Sequence, residues 1–355
     1  MTPSRPLAER LADGPVLCAG GYLFELERRG YLQAGSFVPE TVLEHPEQVY
    51  QLHVDFLRAG SDVVEAFTYN GHREKLRVVG KADLLEPLNR QALDLARRAA
   101  DDMADPLGER PLVCGNISNT NIYDPADPAT ARQVRAMYEE MVGWAAEAGV
   151  DFVLGETLYY LEEARIATAV IREAGLPAVI TLGVFAEGGL RDGVAPDEAA
   201  RVLENDGAAV VGLNCFRGPD TMLPHLERVR AAVEGPVAAL PVPYRTTPNE
   251  PTFFNMHDHA CSVHLPQGGQ TFPTALDPFH ANRYEVADFA RRAHEMGAGF
   301  IGLCCGNNPA FMRQLAMALG RTPPAARFAP DMSKHFLFGS DPALARHNLD
   351  YGDRA

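Results

Sequence analysis

The chain is 355 residues long and 46% hydrophobic, enough to bury a large core and compatible with one large barrel or with two ordinary domains. A formal charge of −15, with no basic stretch interleaved with aromatics, argues against a nucleic-acid partner. The N-terminus MTPSRPLAERLADG has no apolar core, and nothing in the chain approaches the ~18 unbroken apolar residues of a membrane span, so the expectation is a soluble cytoplasmic protein without a membrane partner.

Short β-branched or apolar runs alternate with longer amphipathic runs, the pattern of repeated βα units around a parallel sheet. In chain order the predicted strands are Pro15–Gly21, Asp62–Asn70, Pro111–Ser118, Asp151–Leu158, Pro177–Phe185, Ala208–Phe216, Val237–Tyr244 and Gly299–Gly306. Between them, segments such as Glu86–Asp105, Ala129–Ala148, Leu161–Ala174 and Arg283–Met296 carry Ala, Leu, Glu and Arg at helical spacing. Gly60, Gly149, Gly175 and Gly297 each follow such a run, where a left-handed residue stops a helix. Eight repeats over residues 15–320 predict a closed (β/α)8 TIM barrel, and no GxGxxG after the first strand supports a dinucleotide-binding sheet.

Two stretches break this rhythm. Residues 245–280 form a Pro-, His- and Gly-rich excursion after the seventh strand, on the face where barrel active sites lie, and read as a lid or wall. The domain expectation is a barrel over 1–320 and a C-terminal extension over 321–355, which packs on the barrel or reaches a neighbouring subunit of a homo-oligomer.

Six cysteines in a chain of this length without a secretion signal read as reduced thiols. Cys215 ends the sixth predicted strand (VVGLNCF), and Cys304 and Cys305 end the eighth (FIGLCCG), so the three converge at the C-terminal mouth with one strand between them. Three soft thiolates suit Zn2+ and leave its fourth tetrahedral position for a substrate. Adjacent residues on a strand face opposite ways, so both members of the pair serve only if the strand bends, as Gly306 allows. Cys18 and Cys114 read instead as small buried hydrophobes. With three thiolate ligands zinc is a poor hydrolytic Lewis acid, and a better use for it is to bind and deprotonate a substrate thiol, whose free pKa is about 8.5.

At these residues the chain resembles the homocysteine S-methyltransferase family. GLNC and GLCCG resemble its two cysteine motifs, and GGYLFELERRGYLQAGSFVPE, EHPEQV, QLHVDFLRAGSDVVEAFTY and GETLYYLEEA resemble its betaine–homocysteine branch in order and spacing. The resemblance implies a (β/α)8 barrel, one zinc on Cys215, Cys304 and Cys305, homocysteine as acceptor and methionine as product. It makes Glu156 an acidic contact to the homocysteine amino group, against the plainer reading of a carboxylate capping the next helix. Gly20 and Gly21 match a glycine pair at the substrate's amino-acid end, and Asn214 reads as a brace for the metal loop. Where the family places an aspartate before that pair, this chain has Ala19, so one acidic contact is missing. The positions of the branch's aromatic cage for a quaternary ammonium are Phe37, Asn70 and Thr157, one aromatic of three, with Tyr69, Tyr159 and Tyr160 near enough in sequence to substitute. No match to the branch's tail histidine for the donor carboxylate is evident.

The expected partners are therefore a small thiol and a methyl donor. The expected chemistry is in-line attack by the activated thiolate on the methyl of a sulfonium or quaternary ammonium, which departs as a neutral sulfide or amine without an acid catalyst. A zinc-bound thiol sensor without turnover and a methyltransferase for a different thiol are the alternatives. A Schiff-base aldolase is poorly served, because none of Lys75, Lys81 and Lys334 falls at a predicted strand end. His257, His259, Cys261 and His264 make an H-x-H-x-C-x-x-H pattern in the excursion, read here as an ordinary loop outside the paired-ligand motifs.

Overall fold

The computed structural model describes residues 5–265 and 269–344. Residues 1–4 of the expected barrel, 266–268 of the excursion and 345–355 of the extension lie outside the described residues. Eight parallel strands close in sequence order into one barrel: β1 Val16–Ala19, β2 Val63–Glu65, β3 Leu112–Ser118, β4 Phe152–Leu158, β5 Ala178–Leu182, β6 Val210–Asn214, β7 Val237–Leu240 and β8 Ala298–Leu303. Closure is made by β8 against β1, in a register running from Val16 opposite Phe300 to Ala19 opposite Leu303. The (β/α)8 class expected from the alternating pattern is the observed fold.

Alternation along the strands builds two cores. Inward-facing Val16, Cys18, Val63, Cys114, Phe152, Leu154, Val179 and Phe300 fill the barrel, with Leu7 of the N-terminal helix plugging the cluster. Outward-facing Leu17, Val64, Val113, Val153, Ile180, Leu213 and Ile301 pack against the helix ring. Cys18 and Cys114 are thus buried packing residues, as read from sequence.

The helices begin and end where local chemistry directs. Asp127 caps Pro128–Ala148 by accepting the Ala129 N–H, and Asn282 with Glu285 forms a capping box on Arg283–Glu295. Gly60, Gly149, Gly175 and Gly297 all take left-handed φ angles after helices. Among the described residues no helix is long and apolar enough to cross a membrane.

The strands start where predicted, but several end sooner. β2 stops at Glu65 rather than Asn70, β6 at Asn214 rather than Phe216, and β8 at Leu303 rather than Gly306. The physical reason is that the residues beyond these ends leave extended geometry: Asn70, Cys215 and Phe216 have φ of 60°, 57° and 55°, and Gly306 has 96°. The cysteines therefore sit on turns that leave the barrel's C-terminal mouth, not on the strands.

Candidate metal centre and substrate site

β7 lies between β6 and β8, and successive carbonyls at its end hold both cysteine turns. Leu240 O accepts the Cys215 N–H and Pro241 O the Cys304 N–H, each at 2.9 Å. The left-handed Cys215 and Phe216 fold the first turn inward, while the second chain leaves β8 and turns at Gly306. A Cβ at Gly306 would stand 2.6 Å from the Tyr244 hydroxyl, so the second turn is seated directly on that buried ring. The bend that the adjacent cysteines required is thus supplied by the strand ending before them.

The three Sγ atoms lie within 4.8 Å of one another, with Cys215 to Cys305 at 3.8 Å and Cys304 to Cys305 at 3.9 Å. Thiolates on a tetrahedron with metal–sulfur bonds of about 2.3 Å stand about 3.8 Å apart, so the donor set and its spacing fit zinc. Burial pushes the Cys215 thiol up, but the bonds to Cys304 and Cys305 outweigh it and bring it down to about 5. Sharing protons with Cys215 drives Cys304 and Cys305 well above the ordinary thiol range. Among the described residues this is the one cluster of three or more metal-ligating side chains. The His257–His264 pattern is not drawn together as a ligand set: His257 bonds to Glu250 at 3.1 Å and Cys261 Sγ to the Val263 carbonyl at 3.6 Å.

Beside the sulfurs is a carboxylate and amide network. Asn116 Nδ2 donates to Glu65 Oε1 at 2.9 Å and to Glu156 Oε1 at 2.7 Å. Asn214 Nδ2 donates to Glu156 Oε2 at 3.1 Å and Thr157 Oγ1 at 2.8 Å, its Oδ1 accepts the Thr157 N–H at 2.9 Å, and Nδ2 lies 3.9 Å from Cys304 Sγ. Asn214 therefore ties the end of β4 to the Cys304 turn. Glu156 caps no helix; both its oxygens belong to this network. Burial raises Glu156 to about 8, helped by Cys304, and burial followed by the neighbouring Glu156 charge holds Glu65 well above the carboxylate range. Gly21, Glu65, Tyr69, Glu156, Thr157 and the three cysteines line an inner compartment of about 20 Å³. A Cβ at Gly21 would stand 2.5 Å from the Cys304 carbonyl oxygen, and one at Gly20 3.1 Å from that of Leu303, so glycine at both positions lets this chain's own β8 end approach.

Outside it, sharing Cys215, Cys305, Tyr69 and Leu23, opens a cavity of about 380 Å³. Its wall is aromatic: Phe24, Phe37, Tyr69, Tyr159, Phe185, Phe216, Phe253, Phe254 and Phe272. Phe24 stacks on Phe37 at 5.7 Å between centroids, and Phe253, Phe254 and Phe272 form a mutual cluster at 4.5–4.8 Å. The excursion after β7 is thus a wall of this cavity. Of the cage positions, Phe37 and Asn70 line it and Thr157 faces the inner compartment. Asn70 spends its amide on the Phe37 carbonyl at 3.0 Å. Tyr69 and Tyr159 take places in the wall, whereas Tyr160 packs on Tyr123 and Tyr159. The sequence reading missed Glu65, Asn116 and most of the phenylalanines; the one available signal for Glu65 was a lone charge inside the apolar run VVEAF.

A closed parallel barrel with soft thiolates at its C-terminal mouth defines a barrel enzyme that handles sulfur, and comparison with known proteins gives the class its name. The chain belongs to the homocysteine S-methyltransferase family, whose profile matches residues 16–319, and is a methyltransferase of the betaine–homocysteine branch. It is 35% identical over 349 residues to betaine–homocysteine S-methyltransferase 1 of Rattus norvegicus, covering 95% of this chain and 79% of that protein. To the S-methylmethionine–homocysteine S-methyltransferase of the same organism it is 34% identical over 342 residues, covering 94% and 86%. The fold matches the metallated crystal structure of the homocysteine methyltransferase MmuM from Escherichia coli with a TM-score of 0.69 at 20% identity, over 88% of this chain and 99% of that one.

Proposed function

We propose that this protein is a zinc-dependent S-methyltransferase that moves a methyl group from a small sulfonium or quaternary ammonium donor to homocysteine, giving methionine. The observation that carries it is the placement of three mutually close sulfurs in an inner compartment, two of which, Cys215 and Cys305, also line the aromatic cavity outside it. Cys215, Cys304 and Cys305 would hold the zinc, which when bound keeps a substrate thiol deprotonated at neutral pH. Glu156, oriented by Asn116 and Asn214, receives the amino group of the acceptor. The phenylalanine and tyrosine wall excludes water and presents π faces to a cation, and a donor with a neutral leaving group needs no proton from the protein. Lys75 and Arg191 line the same cavity and favour a donor that carries a carboxylate besides its onium centre.

The names of the relatives support homocysteine as acceptor and an onium donor, betaine in one and S-methylmethionine in the other. The direct test is thiol consumption by the zinc-loaded protein with homocysteine and a panel of methylated sulfonium and quaternary ammonium compounds. Turnover with at least one onium donor is expected. Tight homocysteine binding with no product from any donor would instead establish a thiol-binding protein without turnover.

A further inference from the structure

The family resemblance assigns Glu65 no role, yet it lines the inner compartment beside Glu156. It is the last residue of β2 and only 3% exposed. Asn116 holds Oε1 at 2.9 Å, and apart from the neighbouring Glu156 carboxyl nothing in the protein is within hydrogen-bond reach of Oε2. Oε2 lies 3.7 Å from where a Cβ on Gly20 would stand, immediately beside Ala19. Asn116 spends one amide nitrogen on both Glu65 and Glu156, which draws the two carboxyls together.

No lysine, arginine or histidine lines this compartment. Two buried carboxyls and three sulfurs bring no cation to the compartment, and a carboxyl buried there gives up its proton readily only when a cation stands beside it. The compartment, at about 20 Å³, holds one group of about the size of a water molecule. A primary ammonium has that size, the opposite charge and three N–H donors for the free oxygens.

We propose that Glu65 is a second acid for the acceptor's ammonium, supplied from the end of β2 beside Glu156. The register places it there: Cys18 pairs with Val63, both facing the barrel interior, so Glu65 stands level with Gly20 on the same inward face. Glu65 thus sets specificity for amino-bearing thiols over thiols that lack the amine. The assignment rests on homocysteine being the acceptor, and its test separates the two.

Binding of homocysteine and of 4-mercaptobutanoate, its analogue without the amine, is measured calorimetrically on zinc-loaded wild type, Glu65→Gln and Glu65→Asp. Glu65→Gln keeps the side-chain shape and the Asn116 bond, and zinc content reports that the site is intact. The expected result is that wild type prefers homocysteine, that Glu65→Gln cuts this preference about 10-fold or more, and that Glu65→Asp, which keeps the acid, retains more of it. Mercaptobutanoate affinity stays level or rises. If Glu65→Gln leaves the preference unchanged, the two carboxyls merely share a proton and the assignment is wrong. If wild type shows no preference for the amine, homocysteine is the wrong acceptor and the assignment falls with it; if it prefers homocysteine without turnover, the Glu65 comparison still decides.

Discussion

Thr157, Cys215, Phe216, Phe37, Asn70 and Asn121 are the non-glycine residues with left-handed φ among the described residues, and all six line the inner compartment or the aromatic cavity. Such angles are rare for β-branched and bulky residues and persist only where neighbours enforce them. At Thr157 the enforcement is visible, because Asn214 binds both its N–H and its hydroxyl. Asn214→Ala leaves that N–H and one Glu156 oxygen unpaired. The expected cost is about 2–4 kcal/mol, read by denaturant unfolding, together with a fall in methyl transfer. Three cysteines at strand ends were legible in the sequence because thiolates are scarce and their pairing with GLN and GLC contexts is distinctive. Glu65 was not, since a charge inside an apolar run looks the same whether it faces a pocket or solvent until the strand's end is known.

The same blindness to strand ends explains the errors at the level of elements. Starts were marked by glycine turns after helices, whereas β2, β6 and β8 run into their loops with apolar residues that period alone cannot separate from strand. The excursion after β7 was legible by its length and proline content, but its role was fixed only by Phe253, Phe254 and Phe272 closing the cavity wall. Replacing Phe253 and Phe254 together by leucine keeps the wall apolar at a modest loss of volume and removes the π faces. We expect the KM for an onium donor to rise about 10-fold with little change for homocysteine, as steady-state kinetics would show. Helix Pro46–Ala59 offers a stability test. His53 is fully buried against the Tyr22 hydroxyl at 2.9 Å, and burial lowers its pKa to about 3. The unfolded chain binds a proton there below about pH 6.5 while the native one refuses it, so the native state loses stability as pH falls. The stability difference between wild type and His53→Phe should therefore shrink by about 2 kcal/mol between pH 7 and pH 5. A difference that is flat with pH would mean that His53 takes up its proton as readily in the fold as in the unfolded chain.

For the molecule as a whole, the closed barrel separates stability from chemistry. The interior cluster below and the outer core under the helix ring fix the strand ends, and the site is built on those ends and the turns above them. Barrel class followed from element order, and the mouth was identified by where the cysteines fell; the arrangement of the aromatic wall needed contacts between elements far apart in the chain. The most direct measurement is mass spectrometry of methionine formed from homocysteine and trideuteromethyl-labelled onium donors, with metal content read on the same samples. Wild type with one zinc per chain should yield methionine three mass units heavier, and both the metal-stripped protein and Cys305→Ser should hold no zinc and yield none. Labelled methionine at an undiminished rate from the metal-free samples, or its absence from zinc-loaded wild type with every donor, would contradict the assignment.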